Sequence, residues 1–116
     1  MASVQWNTPF WPDGVSTEYE DYKFPVFKFL DDSAEKYPDY EYTVFNGATK
    51  TYAQVKDTAD RVANYLAGKG IKKGDKVAIF LPNIPQFPEI LFGILKAGAV
   101  AVNCNPVYTA PELNHQ

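Results

Sequence analysis

Residues 76–104 read "KVAIFLPNIPQFPEILFGILKAGAVAVNC". The stretch opens on an apolar run, residues 76–81, broken by Pro82 and by Asn83, a residue suited to a helix N-cap. Over residues 84–97 the polar side chains are few. Gln86, Glu89 and Lys96, with Gly93 on the same line, form one narrow stripe at helical spacing, and Phe87, Ile90, Leu91, Phe92, Ile94 and Leu95 cover the rest. Gly98 ends that helix, and "AVAVNC", residues 99–104, is a second apolar run. Strand, helix, strand in this order is a βαβ unit with parallel strands. Unalternating apolar strands are those buried on both faces, and so wide an apolar helix needs partners on more than one side. The class is therefore α/β, and the unit reads as an interior element of a larger layer.

Upstream, "EYTVFNGATKTY", residues 41–52, alternates like a strand, turns at Asn46-Gly47 and returns over residues 49–51, a β-hairpin. Thr51 and Gln54 form a capping box that opens a helix with Val55, Ala59, Val62, Ala63 and Leu66 on one face. Asp57 and Arg61, four apart, are placed to pair on its outer side, and Gly68 and Gly70 stop it. Before the hairpin, Pro25 suits a first helical turn and Pro38 stops the helix it begins. Residues 1–24 follow neither period but carry Trp6, Phe10, Trp11, Tyr19 and Tyr22, the composition of an irregular arm packed on a surface rather than of a disordered tail. Downstream, "YTAPELNHQ", residues 108–116, holds a second capping box, Thr109 with Glu112, and Pro111 at an early helical position. Only about one turn follows Glu112, too little for a self-supporting helix, so the expectation is a chain cut at the start of a helix.

The 116 residues allow one domain, with 46% hydrophobic and 22% charged side chains. A net charge of −3 offers nothing to nucleic acid. No apolar run approaches a membrane span and residues 1–7 lack a secretory pattern. The single cysteine, Cys104, cannot form an internal disulfide, which fits a cytoplasmic setting.

Each chemically suggestive residue has a plainer reading. Asp31, Asp32 and Glu35 stand without a nearby His or Cys and are expected to form a solvated face. Gly68, Gly70 and Gly74 follow a helix and precede a strand, the reverse of a phosphate loop, so residues 72–76, "KKGDK", are expected to be a solvated turn. A catalytic thiol needs a nearby base, and the only histidine, His115, stands eleven residues from Cys104 and without metal-ligand partners; a small strand residue and a surface histidine are the readings.

Taken together, residues 50–66 and 72–116 resemble the opening of AMP-forming acyl-CoA synthetases, within the adenylate-forming superfamily. Thr51-Tyr52 is similar to the family's first core motif and "LKAGAVAV", residues 95–102, to its second. Where peptide-synthetase adenylation domains usually place a proline, this chain has Asn103, and "NCNP", residues 103–106, resembles the long-chain fatty-acid branch, as does "LPNIPQFP", residues 81–88. The resemblance implies a partial adenylate-forming N-terminal domain over residues 25–116, with a β-hairpin, a βαβ parallel unit and packing helices. It implies a whole protein that is a fatty-acid–CoA ligase: a carboxylate attacks ATP to give acyl-adenylate and pyrophosphate, and the thiol of coenzyme A then displaces AMP. ATP, Mg²⁺ and CoA belong to that whole protein. The family's phosphate loop, acidic metal ligand and mobile lysine have no counterpart here, so no catalytic, cofactor-binding or metal residue is assigned. Thr51, Tyr52, Lys96, Gly98, Asn105 and Pro106 are expected to cap, turn and pack. The expected partners are the rest of the chain, fatty acid, ATP and CoA, with self-association of this piece alone. Two rival expectations stand beside this one: a self-contained interaction module that pairs through its apolar surfaces, and a small nucleotide-binding domain using the strand ends near Leu81 and Cys104.

Overall fold

The computed structural model describes residues 12–15 and 23–116. Trp6, Phe10, Trp11, Tyr19 and Tyr22 of the aromatic arm lie outside the described residues. The elements run α1 (Lys28–Lys36), β1 (Glu41–Phe45), β2 (Ala48–Thr51), α2 (Tyr52–Gly68), β3 (Lys76–Ile79), α3 (Gln86–Lys96), β4 (Val100–Asn103) and α4 (Ala110–His115).

The hairpin turns where its dipeptide dictates. Asn46 and Gly47 both adopt positive φ, 50° and 80°, so the turn twists with the strands, and Phe45 faces Ala48 across it. The pairing is antiparallel, with a shift in register between Glu41 and Thr43. Directly after β2 the chain enters α2. Thr51 Oγ1 accepts from Gln54 N–H at 3.3 Å and Gln54 Oε1 accepts from Thr51 N–H at 2.9 Å, so the capping box is complete. At the far end Gly70, φ 88°, lets Ile71 N–H reach back to Leu66 C=O.

Two apolar clusters hold the body together. Leu30 of α1 meets Val55 and Ala59 of α2, with Tyr42, Tyr52 and Phe92 packed around them, and the Tyr42 and Tyr52 rings meet edge to face at 4.9 Å. Ile79 of β3, Ile94 of α3 and Ala99 form the second, bordered by Leu66, Val77, Phe87, Ile90 and Ala101 among others.

β3 and β4 pair in parallel, Lys76 with Val100 through Ile79 with Asn103, on either side of α3. The βαβ reading holds, and this chain supplies cover for one face of the pair. Val77, Ile79 and Ala101 face the helices, whereas Ala78, Phe80 and Val100 on the other face are exposed, Phe80 at 42% and Val100 at 46%. Among the described residues no element covers that face. Asn83 is also not the helix cap. Pro85 takes that place with φ −57°, already helical, and gives no side-chain cap bond; ring closure at Pro85 sets the entry instead. α4 does form over residues 110–115: Glu112 accepts from both the N–H and the hydroxyl of Thr109, at 2.8 and 2.7 Å, and the helix buries no residue. The capping box closes this turn locally, without tertiary contacts.

Candidate functional site

In open α/β sheets ligands bind beyond the carboxyl ends of parallel strands. Here those ends carry Phe80, Leu81 and Asn83 after β3, and Asn103 at the end of β4 with Cys104 and Asn105 after it. Cys104 N–H donates to Ile79 C=O at 2.9 Å and so carries the pairing past the last strand residue. The Cys104 side chain is 7% exposed and its Sγ lies 3.7 Å from Val102 C=O. His115 lies exposed on α4, and none of the described hydrogen bonds joins it to the thiol. Asn105 Oδ1 accepts from Val107 N–H at 3.1 Å and so shapes the turn toward α4, while Pro106 is exposed in that turn. Gly98, φ 77°, makes the turn between α3 and β4. Asn105 and Gly98 thus shape turns, and Thr51 caps α2.

A cleft of about 410 Å³ opens between β1 and the entry to α3, lined by Tyr42, Val44, Phe45, Ile84, Pro85 and Phe87 among others. Its wall mixes apolar and aromatic side chains with the polar Thr43 and Asn83 and carries no charged side chain. A second depression, about 530 Å³, is lined by Asp31, Glu35, Lys56, Asp57 and Asp60.

The charges at that depression form a three-helix network. Lys96 Nζ of α3 lies 2.5 Å from Asp31 Oδ1 of α1 and 2.5 Å from Asp60 Oδ1 of α2, and Lys56 Nζ reaches Asp60 Oδ2 at 2.7 Å and Asp31 at 4.0 Å. The Lys96 side chain is only 10% exposed. Farther along α3, Glu89 is 2% exposed and meets Lys50 of β2 at 2.5 Å. The acidic trio therefore divides. Asp32 pairs with Lys28 on the surface and Glu35 is exposed, as expected of a solvated face, while Asp31 is drawn inward by Lys96. The stripe of Glu89, Gly93 and Lys96 is the finding that sequence reasoning missed. It faces inward, with Gly93 against Val62 of α2 and the two charges buried beside it. The signal was present: a glycine between the two charges marks close helix approach rather than a solvent side.

Burial would push the Asp60 carboxyl up, but hydrogen bonds from Lys56 and Lys96 outweigh it and hold the group below its ordinary value of 3.8. A carboxyl lowered on folding adds stability above its unfolded value, and that stability is lost as pH falls through the folded one. Asp60→Asn is therefore expected to flatten the fall of the urea midpoint below about pH 4. An unchanged acid slope in the variant would refute the assignment.

Among the described residues no group of three or more His, Cys, Asp and Glu side chains is arranged to hold a metal ion. Gly70 and Gly74, both at positive φ, sit in an exposed turn, where Lys72 N–H donates to Asp75 Oδ2 at 2.7 Å. The turn is a solvated one and opens no helix. These residues do not fit a nucleotide with its metal.

The AMP-binding enzyme family matches residues 30–116. This chain belongs to that family. It is 39% identical to a long-chain-fatty-acid–CoA ligase of Escherichia coli over 108 residues, 91% of this chain and 19% of that protein. It is 37% identical to triostin synthetase I of Streptomyces triostinicus over 109 residues, 90% of this chain and 21% of the relative as compared. Among solved structures, apo MbtA of Mycobacterium smegmatis superposes with a TM-score of 0.74 at 39% identity, covering 79% of this chain and 18% of that one. The chain thus spans about one-fifth of the length of the curated relatives it matches. The α/β fold, with its hairpin and parallel pair, is that of adenylate-forming enzymes in their N-terminal region.

Proposed function

We propose that this chain is the N-terminal portion of a long-chain fatty-acid–CoA ligase and carries no turnover by itself. The observation that supports it is the likeness to such ligases along 91% of the chain, joined to a set of strand-end residues that cap and pack. In the whole protein, ATP, Mg²⁺ and CoA would be held by residues outside this chain, with a fatty acid as the carboxylate activated. ATP and CoA are cytoplasmic reagents, and a buried free thiol suits that compartment, so the proposed setting is the cytoplasm. The test is acyl-CoA formation with this chain, a fatty acid, ATP, Mg²⁺ and CoA, or fatty-acid-dependent exchange of labelled pyrophosphate into ATP. No turnover is expected; clear turnover would overturn the reading.

The same reading gives the open face of the β3–β4 sheet an occupant. The rest of the ligase domain would cover Ala78, Phe80 and Val100, because the relatives are about five times as long as this chain. Without that cover, exposed apolar surface drives association. Light scattering on the isolated chain is expected to give a mass that rises with concentration, and Phe80→Lys with Val100→Lys should lower it. A monodisperse monomer at all concentrations would contradict this.

A further inference from the structure

α1 is held to the body by little apolar surface. Only Leu30 and Ala34 are buried on it, while Val26 and Phe29 beside them are more than half exposed, 59% and 56%. Phe92 of α3 packs on the Leu30 cluster, and just past α1 the Pro38 and Tyr40 carbonyls accept from Ala53 and Tyr52 N–H of α2. To these Asp31 adds ionic links, to Lys96 of α3 and to Lys56 of α2. The α2–α3 contact stands on different ground: Gly93 lets the helices meet at Val62, and the Ile79–Ile94–Ala99 cluster lies behind it.

We propose that Lys96 is a positioning residue that makes the docking of α1 onto the α2–α3 pair a separate step, conditional on one buried ammonium group. The charges facing the junction are Asp31 and Glu35 of α1, Lys56, Asp57 and Asp60 of α2, and Lys96 of α3. Lys28 and Asp32 pair with each other on α1, and Asp57 pairs with Arg61 on α2. With Lys96 in place, Asp31 and Asp60 share a cation between them. Without it the two carboxylates keep only Lys56, 4.0 Å from Asp31, and repel each other across the α1–α2 contact. That repulsion acts on α1; α2 and α3 lose the Lys96–Asp60 pair but keep the close approach at Gly93 and Val62. Lys96, the lysine of the "LKAGAVAV" stretch, thus holds α1 in place.

Hydrogen exchange on the full chain, read by peptide, tests it. Lys96→Met is expected to lower protection across residues 28–36 by about tenfold or more, with α2 and α3 changed far less, because the Gly93–Val62 approach and the Ile79–Ile94–Ala99 cluster that hold them do not use Asp31. Lys96→Arg should restore it. The pH response separates positioning from mere packing. In the natural chain α1 protection should fall as the carboxylates take up protons, whereas in Lys96→Met it should rise, because protonation removes the repulsion. If Lys96→Met does not fold, Asp31→Asn, on the more exposed side, is expected to give the same selective loss in α1. Unchanged α1 protection, or equal loss in all three helices, would overturn the proposal.

Discussion

Gly93→Ala is expected to destabilise the protein although it puts a better helix former in the middle of α3. A Cβ built at Gly93 would lie 2.5 Å from Val62 Cγ1, 2.6 Å from Val62 Cβ and 3.0 Å from the Ala59 carbonyl oxygen. Val62 is β-branched and has essentially one rotamer in a helix, so its side chain cannot swing aside. The carbonyl belongs to the α2 backbone and cannot move alone. α2 and α3 would have to separate, loosening Ile94 and the packing of Phe92 against Val55 and Ala59 together. Helix propensity returns about 1 kcal/mol on replacing glycine by alanine. Overpacking costs typically 1–3 kcal/mol, so the alanine variant should lose on the order of 1 kcal/mol and Gly93→Val about 3 kcal/mol or more. Val62→Gly should relieve Gly93→Ala, giving a favourable coupling of about 1 kcal/mol in a double-mutant cycle. Gly68→Ala, at the exposed end of α2 where a Cβ would meet nothing within 4 Å, supplies the control: it should be neutral or stabilising by a few tenths of a kcal/mol. Urea midpoints decide. Additive effects at Val62 and Gly93, or a gain in stability from Gly93→Ala, would refute the close-approach account.

Local chemistry was legible in the sequence, and the orientation of α3 was not. Asn46-Gly47 fixes its turn through backbone preference alone, and Thr51 with Gln54 caps α2 through bonds that span three residues. The parallel pairing of residues 76–79 with 100–103 follows from connectivity. The Glu89–Gly93–Lys96 stripe is different. Its burial depends on Lys50, Asp31 and Asp60, which are 39, 65 and 36 residues away, and no periodicity within α3 can announce partners so distant. Apolar runs in β3 and β4 likewise specify that both faces want cover without specifying what supplies it, which is why Phe80 and Val100 are open in this chain. At the candidate site only local contacts were legible: the Cys104 Sγ lies beside Val102 C=O two residues away, and Lys72 N–H donates to Asp75 Oδ2 in the turn of Gly70 and Gly74.

Lys50→Met should cost more than the loss of one surface lysine normally would. Lys50 is 38% exposed, and exposed ion pairs contribute at most about 1 kcal/mol. Its partner is the opposite case. The Glu89 side chain is 3% exposed and lies under the hairpin, with no other cation within salt-bridge distance among the described residues. Removing the lysine strands a carboxylate away from water, and breaking a buried pair from one side costs about 3–5 kcal/mol; partial exposure of the lysine side lowers the expectation to about 2–4 kcal/mol. Glu89→Gln should cost less, on the order of 1 kcal/mol, because Lys50 can turn its ammonium to solvent and a buried amide needs only a hydrogen-bond partner. The double variant Lys50→Met with Glu89→Met should then be more stable than Lys50→Met alone, since replacing both members of a buried pair by apolar groups is often neutral. The order of urea midpoints, natural chain or double variant above Glu89→Gln above Lys50→Met, is the measurement. It also separates two roles for the pair. If the double variant recovers stability but hydrogen exchange in residues 41–51 stays fast, the pair serves to fix where the hairpin sits on α3 rather than to add net stability. If the double variant is no better than Lys50→Met, the stranded carboxylate is not the source of the loss, and the lysine stem's packing against α3 must be.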